Sequence, residues 1–235
     1  MMKKRFLYFG CLIALTMGLA ACGDDDESLP TVKPTETGTM TDNDGNEYQW
    51  VRIGNLDWMA SNLKSGDPWY TKTYITDNGM EGDFDVDDEE AADEAIQTDG
   101  NYYSYQEALD QCPDGWRLPT DDDWKALESA LGMSSSELDK EGWRDGAGYL
   151  MAQTIEEGTG LHLLYVGQLA PQSTAYSELT HYGDYGYYWS ATVAPYSSAQ
   201  NVYIRKICPL WNKVERSAAT TTARFMSVRY CRDAE

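Results

Sequence analysis

The chain has 235 residues, with 39 Asp and Glu against 18 Lys and Arg for a net charge of −21; that length suits one domain of about 200 residues behind a leader. So acidic a surface repels nucleic acid and anionic lipid and excludes both as binding partners, while it admits divalent cations and neutral or cationic ligands. Eight Trp and 17 Tyr stand beside only four Phe, a balance that suits half-buried loops and binding surfaces as well as cores.

The N-terminus reads as a leader. Lys3, Lys4 and Arg5 precede an apolar run over residues 6–21 that Gly10, Thr16 and Gly18 interrupt, short of the ~20 residues a spanning helix needs. It closes on Leu19-Ala20-Ala21-Cys22, small residues directly before a cysteine, as in the lipobox of bacterial lipoproteins. Residues 1–21 are therefore predicted to be a signal peptide. Cys22 then becomes a diacylated N-terminus that holds the protein in the outer membrane, each buried methylene contributing ~0.8 kcal/mol. An uncleaved signal anchor with a chance cysteine fits these residues less well. Gly23-Asp24-Asp25-Asp26-Glu27 resembles the surface-export signal of Bacteroidetes lipoproteins and serves equally as a solvated spacer. With Pro30 and Pro34 in the next stretch, residues 22–38 form an acidic, extended tether. Cys112, Cys208 and Cys231 remain in the exported part, where an oxidising compartment predicts one disulfide and one thiol left over.

Residues 39–53 predict a hairpin, with the turn at Asp42-Asn43-Asp44-Gly45-Asn46 and Tyr48, Trp50, Val51 and Ile53 in the second strand. Asp42 and Asp44 are turn formers before they are calcium ligands. A short buried strand, or a turn and strand, follows at 57–63. Residues 77–99 are an acidic insertion. From Asp83 the run matches a calcium-loop template at positions 1, 3, 5 and 12, but Asp88 stands where that loop needs glycine and Glu90 where it needs an apolar residue. A solvated insertion with a short helix at its right-hand end is the better reading, and no cofactor is assigned. Residues 105–111 predict a helix that Pro113-Asp114-Gly115 stops. Thr120 then precedes Asp121, Asp122 and Asp123, with Trp124, Leu127 and Leu131 at helical spacing. A helix start explains the three aspartates: an N-cap, an acid three residues on, and negative charge at the positive end of the dipole. A second cap lies at 134–137, and the glycine-rich stretch 142–148 reads as a loop. Strands are expected at 161–166, 186–192, 201–206 and 226–232, joined by long loops. Helices in the middle and strands at both ends predict an α+β domain whose terminal strands share one sheet.

Four phrases occur in order: DGNEYQWVRIGNLDWMASNLK (44–64), NYYSYQEALDQCPDGWRLPTDDDWKALE (101–128), GYYWSAT (186–192) and SVRYCRD (227–233). Through them the chain resembles the Fibrobacter succinogenes major paralogous domain, a family of bacterial surface lipoprotein domains, over most of residues 39–235. More distantly, WRLPTDDDW is similar to a segment of the formylglycine-generating enzymes. The resemblance implies a C-type-lectin-like fold: two main helices, a mixed or antiparallel sheet joining the N- and C-terminal strands, and long loops. It also implies a disulfide from the first helix to the last strand, Cys112 to Cys231. The family more often reads Ser-Val-Arg-Cys, whereas here Tyr230 comes first, and a one-residue shift turns a strand side chain to the other face; Cys208 is the competing partner.

For function, catalysis lacks its residues. The closely spaced cysteine pair of formylglycine-generating enzymes is absent, and His162 and His181, the only histidines, have no partner motif for a triad or zinc site. The chain is read as not an enzyme. Binding of an extracellular glycan or surface protein is better supported. The segments 181–189, 194–201 and 209–222 are taken as recognition loops rich in Tyr, Trp, Asn and Ser, which supply rigid contact area and adaptable hydrogen bonds. Trp211, Asn212, Tyr185 and Tyr196 are the candidate ligand contacts, while Trp189 is assigned to the core. Sugar-binding C-type lectins hold calcium through Glu-Pro-Asn and Trp-Asn-Asp triplets. Trp211-Asn212-Lys213 departs at its third residue and no Glu-Pro-Asn occurs. A structural role in a surface or fimbrial assembly is the alternative.

Overall fold

The computed structural model describes residues 31–75, 79, 81–84, 86–171, 177–195 and 201–235. The leader, Cys22 and Tyr196 lie outside the described residues.

Strands β1 (Thr37–Thr41) and β2 (Glu47–Ile53) form the expected hairpin. Asp42 builds its turn: the carboxylate accepts from the backbone N–H of Asp44 and Asn46 at 3.0 and 2.8 Å and from the Tyr48 hydroxyl at 2.6 Å. Gly45, at φ 87°, takes the left-handed position that a side chain would strain. β3 (Leu56–Met59) pairs with β2. Next comes a small ribbon of β4 (Thr73–Ile75) and β5 (Glu81–Asp83). The acidic insertion then becomes helix α1 (Glu89–Asp99), whose N-cap is Asp88, accepting from Ala91 N at 3.1 Å. A calcium loop from Asp83 would need residues 89–94 in loop conformation; they are the first turns of this helix.

Helices α2 (Tyr105–Asp110) and α3 (Asp121–Ala130) each open on a full capping box, Ser104 with Glu107 and Thr120 with Asp123. The short α4 (Ser135–Leu138) follows. Residues 142–148 depart from expectation: Gly142–Asp145 is an edge strand, β6, ahead of the one-turn helix α5 (Gly148–Met151). β7 (Val166–Pro171), β8 (Ser177–Tyr182), β9 (Gly186–Val193), β10 (Asn201–Ile207) and β11 (Lys213–Thr220) complete a six-stranded sheet ordered β6-β11-β10-β9-β7-β8.

Three expectations are corrected here. The stretch 209–222 is not a long loop, because β11 occupies most of it. Its inward positions are Val214 and Arg216, and a buried arginine breaks the apolar alternation by which a strand is recognised. The strand expected at 161–166 starts only at Val166, since His162 sits at φ 48°. Likewise 226–232 makes isolated bridges at Met226 and Ser227 before β12 (Cys231–Asp233) begins.

β12 pairs with β3, Cys231 opposite Trp58, and gives a second sheet ordered β1-β2-β3-β12. The two ends of the domain therefore meet in one sheet, and the fold is α+β, as the strand-helix-strand order predicts. The disulfide expected across this junction is absent: Cys112, Cys208 and Cys231 are all free. The reason is register. Tyr230 points into the core cluster against which Cys112 packs and donates its hydroxyl to Ala108 O at 2.9 Å, while Cys231 lies in the cluster around Trp58 and Trp124. One residue of offset has put tyrosine on the α2 side and turned the thiol away.

Candidate functional site

Each strand of the larger sheet alternates its side chains between two faces, and the faces have opposite characters. The inner one packs on α3. The three aspartates that start this helix divide their tasks. Asp123 closes the capping box and takes a two-pronged contact from Arg117 at 2.8 and 2.9 Å. Asp122 points to solvent. Asp121 points inward, where Arg205 meets it at 2.8 Å, Arg216 at 2.8 Å and Lys125 at 3.1 Å. Two helical turns on, on the same face, Glu128 accepts from Arg144 and Arg205, each at 2.6 Å. Arg144, Arg205 and Glu128 are wholly buried. Burial alone would raise the Asp121 carboxyl, but the hydrogen bonds from Arg216, and then Arg205 and Lys125, outweigh it and hold the group well below the usual carboxylate range. Such carboxylates are saturated with cationic donors and closed to solvent. They lock the helix to the sheet.

The outer face carries the residues adjacent in sequence. Glu215 on β11 lies opposite Trp143 on β6 and opposite Lys206 on β10, and Lys206 in turn lies opposite Tyr187 on β9. Four strands thus contribute one row, about 14 Å across at ~4.8 Å per strand. The Lys206 ammonium pairs with Glu215. It also lies 4.9 Å from the Trp143 ring, 4.8 Å from Tyr185 and 5.7 Å from Tyr187, within the range where a ring's negative face attracts a cation. Burial, then the nearby Glu215, push the Tyr187 hydroxyl up to about 12. Outside this cage, Trp211 stands edge-on to Trp143 at 5.5 Å and is 46% exposed. Tyr185 lies 6.1 Å from Trp143, and His181 5.4 Å from Tyr185. The assembly is a half-open aromatic platform over an internal cation.

Of the expected contacts, Trp211 and Tyr185 converge here on either side of Trp143. Asn212 does not join them: its Oδ1 accepts from Tyr149 N at 2.9 Å and its carbonyl from Gly146 N at 2.8 Å, tying the β10–β11 turn to α5. Trp189 is core, its indole N–H on Tyr103 O at 2.8 Å. The sequence reading passes over Trp143, Lys206 and Glu215. They lie on three separate strands, and only the pairing of β6, β11 and β10 brings them together.

A second concavity of about 500 Å³ lies between β2 and residues 154–162, walled by Glu47, Gln49, Ile155, Glu156 and His162. Arg229 props its back wall. Fully buried, that guanidinium donates to Asn62 Oδ1 and to the carbonyls of Met59, Leu161 and His162 at 2.5–2.9 Å. With no carboxylate partner among the described residues, burial brings its pKa down to about 10. His162 is held below its ordinary value by partial burial and then by Arg229, which favours the neutral imidazole.

No curated protein and no solved structure matches the chain. Residues 51–232, which run from β2 into β12 and hold both faces of the larger sheet, match the Fibrobacter succinogenes major domain, and the chain belongs to that family.

Proposed function

We propose that this protein is a lipoprotein carried to the cell surface on acylated Cys22, and that its domain, C-type-lectin-like in fold, is a non-catalytic binding module for an extracellular glycan. The lipobox and the acidic stretch behind it support the location. The meeting of the terminal strands in one sheet supports the fold. The observation that carries the binding function is the platform: Trp211, 46% exposed, braced on Trp143, which is itself braced on a caged lysine. Flat rings fixed before binding lose little entropy when a sugar stacks on them.

The exposed Leu210, at 74%, lies beside Trp211 and favours a second reading, in which the same corner seats an apolar protein partner in a surface or fimbrial assembly. A glycan array probed with the full chain in detergent, run beside capture of partners from the cell envelope, separates the two. Saturable glycan binding that Trp211→Ala abolishes is the expected result. A stoichiometric protein partner and a blank array would favour assembly and overturn the glycan reading.

A further inference from the structure

The charges around the platform narrow its ligand. Resting on the glycan-binding reading above, we propose that the platform takes neutral polysaccharides, whose sugars offer a flat C–H face to the rings, and rejects acidic ones.

Recognition of a uronate or sulfate needs a cation free to pair with it. Every Lys and Arg after residue 30 lies among the described residues, so the cations near the rings can be taken in turn. Lys206 is spoken for: three rings enclose its ammonium, Glu215 neutralises it, and its side chain is 19% exposed. Lys213, next to Trp211, pairs with Asp145 at 3.1 Å. Arg224 lies at the opposite end, near Tyr187, where it donates to Gln168 Oε1 on β7 at 3.1 Å. The acids beside the rings are Asp145, two residues from Trp143 on the same face of β6 and shared with the part-exposed Lys213, and Asp184 in the turn before Tyr185, which has no ion-pair partner among the described residues. An acidic polysaccharide stacking here would bring its carboxylates against these, on a chain whose net charge is −21. A neutral pyranose with equatorial hydroxyls meets no such penalty. Its axial C–H groups face the electron-rich rings, and its rim hydroxyls can donate to Asp145 and Asp184.

The test is depletion of the full chain in detergent by polysaccharides immobilised on beads: a neutral panel of cellulose, xylan and galactomannan against polygalacturonate and alginate, at about 20 and about 500 mM NaCl, which shortens the screening length from ~20 Å to ~4 Å. The expected result is retention on at least one neutral polymer, little changed by salt and weakened about tenfold or more by Trp211→Ala. Trp211→Phe, which keeps a flat ring, should hold most of it, and neither acidic polymer should retain the protein. Retention on an acidic polymer that Trp211→Ala removes would leave the platform a glycan site and overturn its neutrality. No retention on any polymer, or retention indifferent to Trp211, would overturn the platform reading and this inference with it.

Discussion

The two faces of the larger sheet are built from neighbours in sequence: Arg144 beside Trp143, Arg205 beside Lys206, Arg216 beside Glu215, Tyr188 beside Tyr187. Inward, three arginines meet two carboxylates of α3 in a buried network. Outward, one lysine meets one carboxylate and three aromatic rings, of which Trp143 and Tyr185 are half-buried and Tyr187 is buried. Both faces centre on cations, yet only one has rings open to solvent beside them. The difference lies in how the charge is satisfied. Carboxylates closed off by a helix make a lock, because an opened buried pair leaves a naked charge. Aromatic rings satisfy a cation on one side and leave their other face to solvent. At the β6 end of the sheet, alternation along each strand puts a buried ion network on one face and a half-open cation cage on the other; toward β9 that second face is buried too, with Trp189 and Ile204 in the core.

The comparison is most easily broken from the inside. Glu128→Ala strands the buried Arg144 and leaves Arg205 with Asp121 alone, and should cost about 3–5 kcal/mol, read as a lowered urea midpoint with unchanged slope; a loss under about 1 kcal/mol would mean the network is not a lock. Acid probes the same face. Asp121 has a folded pKa lowered by its cationic partners, so its contribution is fully present above the unfolded value of about 3.9 and is lost as pH falls through the folded one. Unfolding on acidification should therefore set in below about pH 4, and Asp121→Asn should flatten that limb while lowering stability at pH 7. Outside, effects on folding shrink. Lys206→Ala should cost about 1–2 kcal/mol through lost cation–π and ion-pair contacts. It also leaves an empty cage, so methylammonium should raise the thermal midpoint of this variant and not of the wild type. Equal response from both would mean the rings do not hold the lysine. Smallest of all, Trp211→Ala should alter stability by no more than about 0.5 kcal/mol.

Local chemistry was the legible part of this fold. The turn residues around Asp42 and the capping boxes at Ser104 and Thr120 act within a few residues of themselves, so their elements could be placed from sequence. The sharing of one sheet by the two ends was readable from the order of strands and helices. What stayed hidden depends on partners far along the chain. Arg216 is buried only because Asp121 stands 95 residues away, so β11 reads as polar loop. Trp143 sits among glycines that suggest a turn, and nothing nearby reports that β6 will find β11. Tyr230 and Cys231 show the finest limit: the one-residue offset that parts the thiols is visible in the sequence, but only the register of β12 on β3 decides which of them faces α2. Trp211 and Tyr185 could be picked out as exposed-contact candidates; Asn212, equally polar and equally near a turn, is consumed by the backbone of α5.

The division between the faces is tested most directly by measuring binding and stability on one preparation of Trp211→Ala. Depletion by the neutral polysaccharide that retains the wild-type protein should vanish, while the thermal midpoint stays within about 2 °C of wild type. Undiminished depletion with an unchanged midpoint would contradict the assignment of the outer aromatic face to recognition.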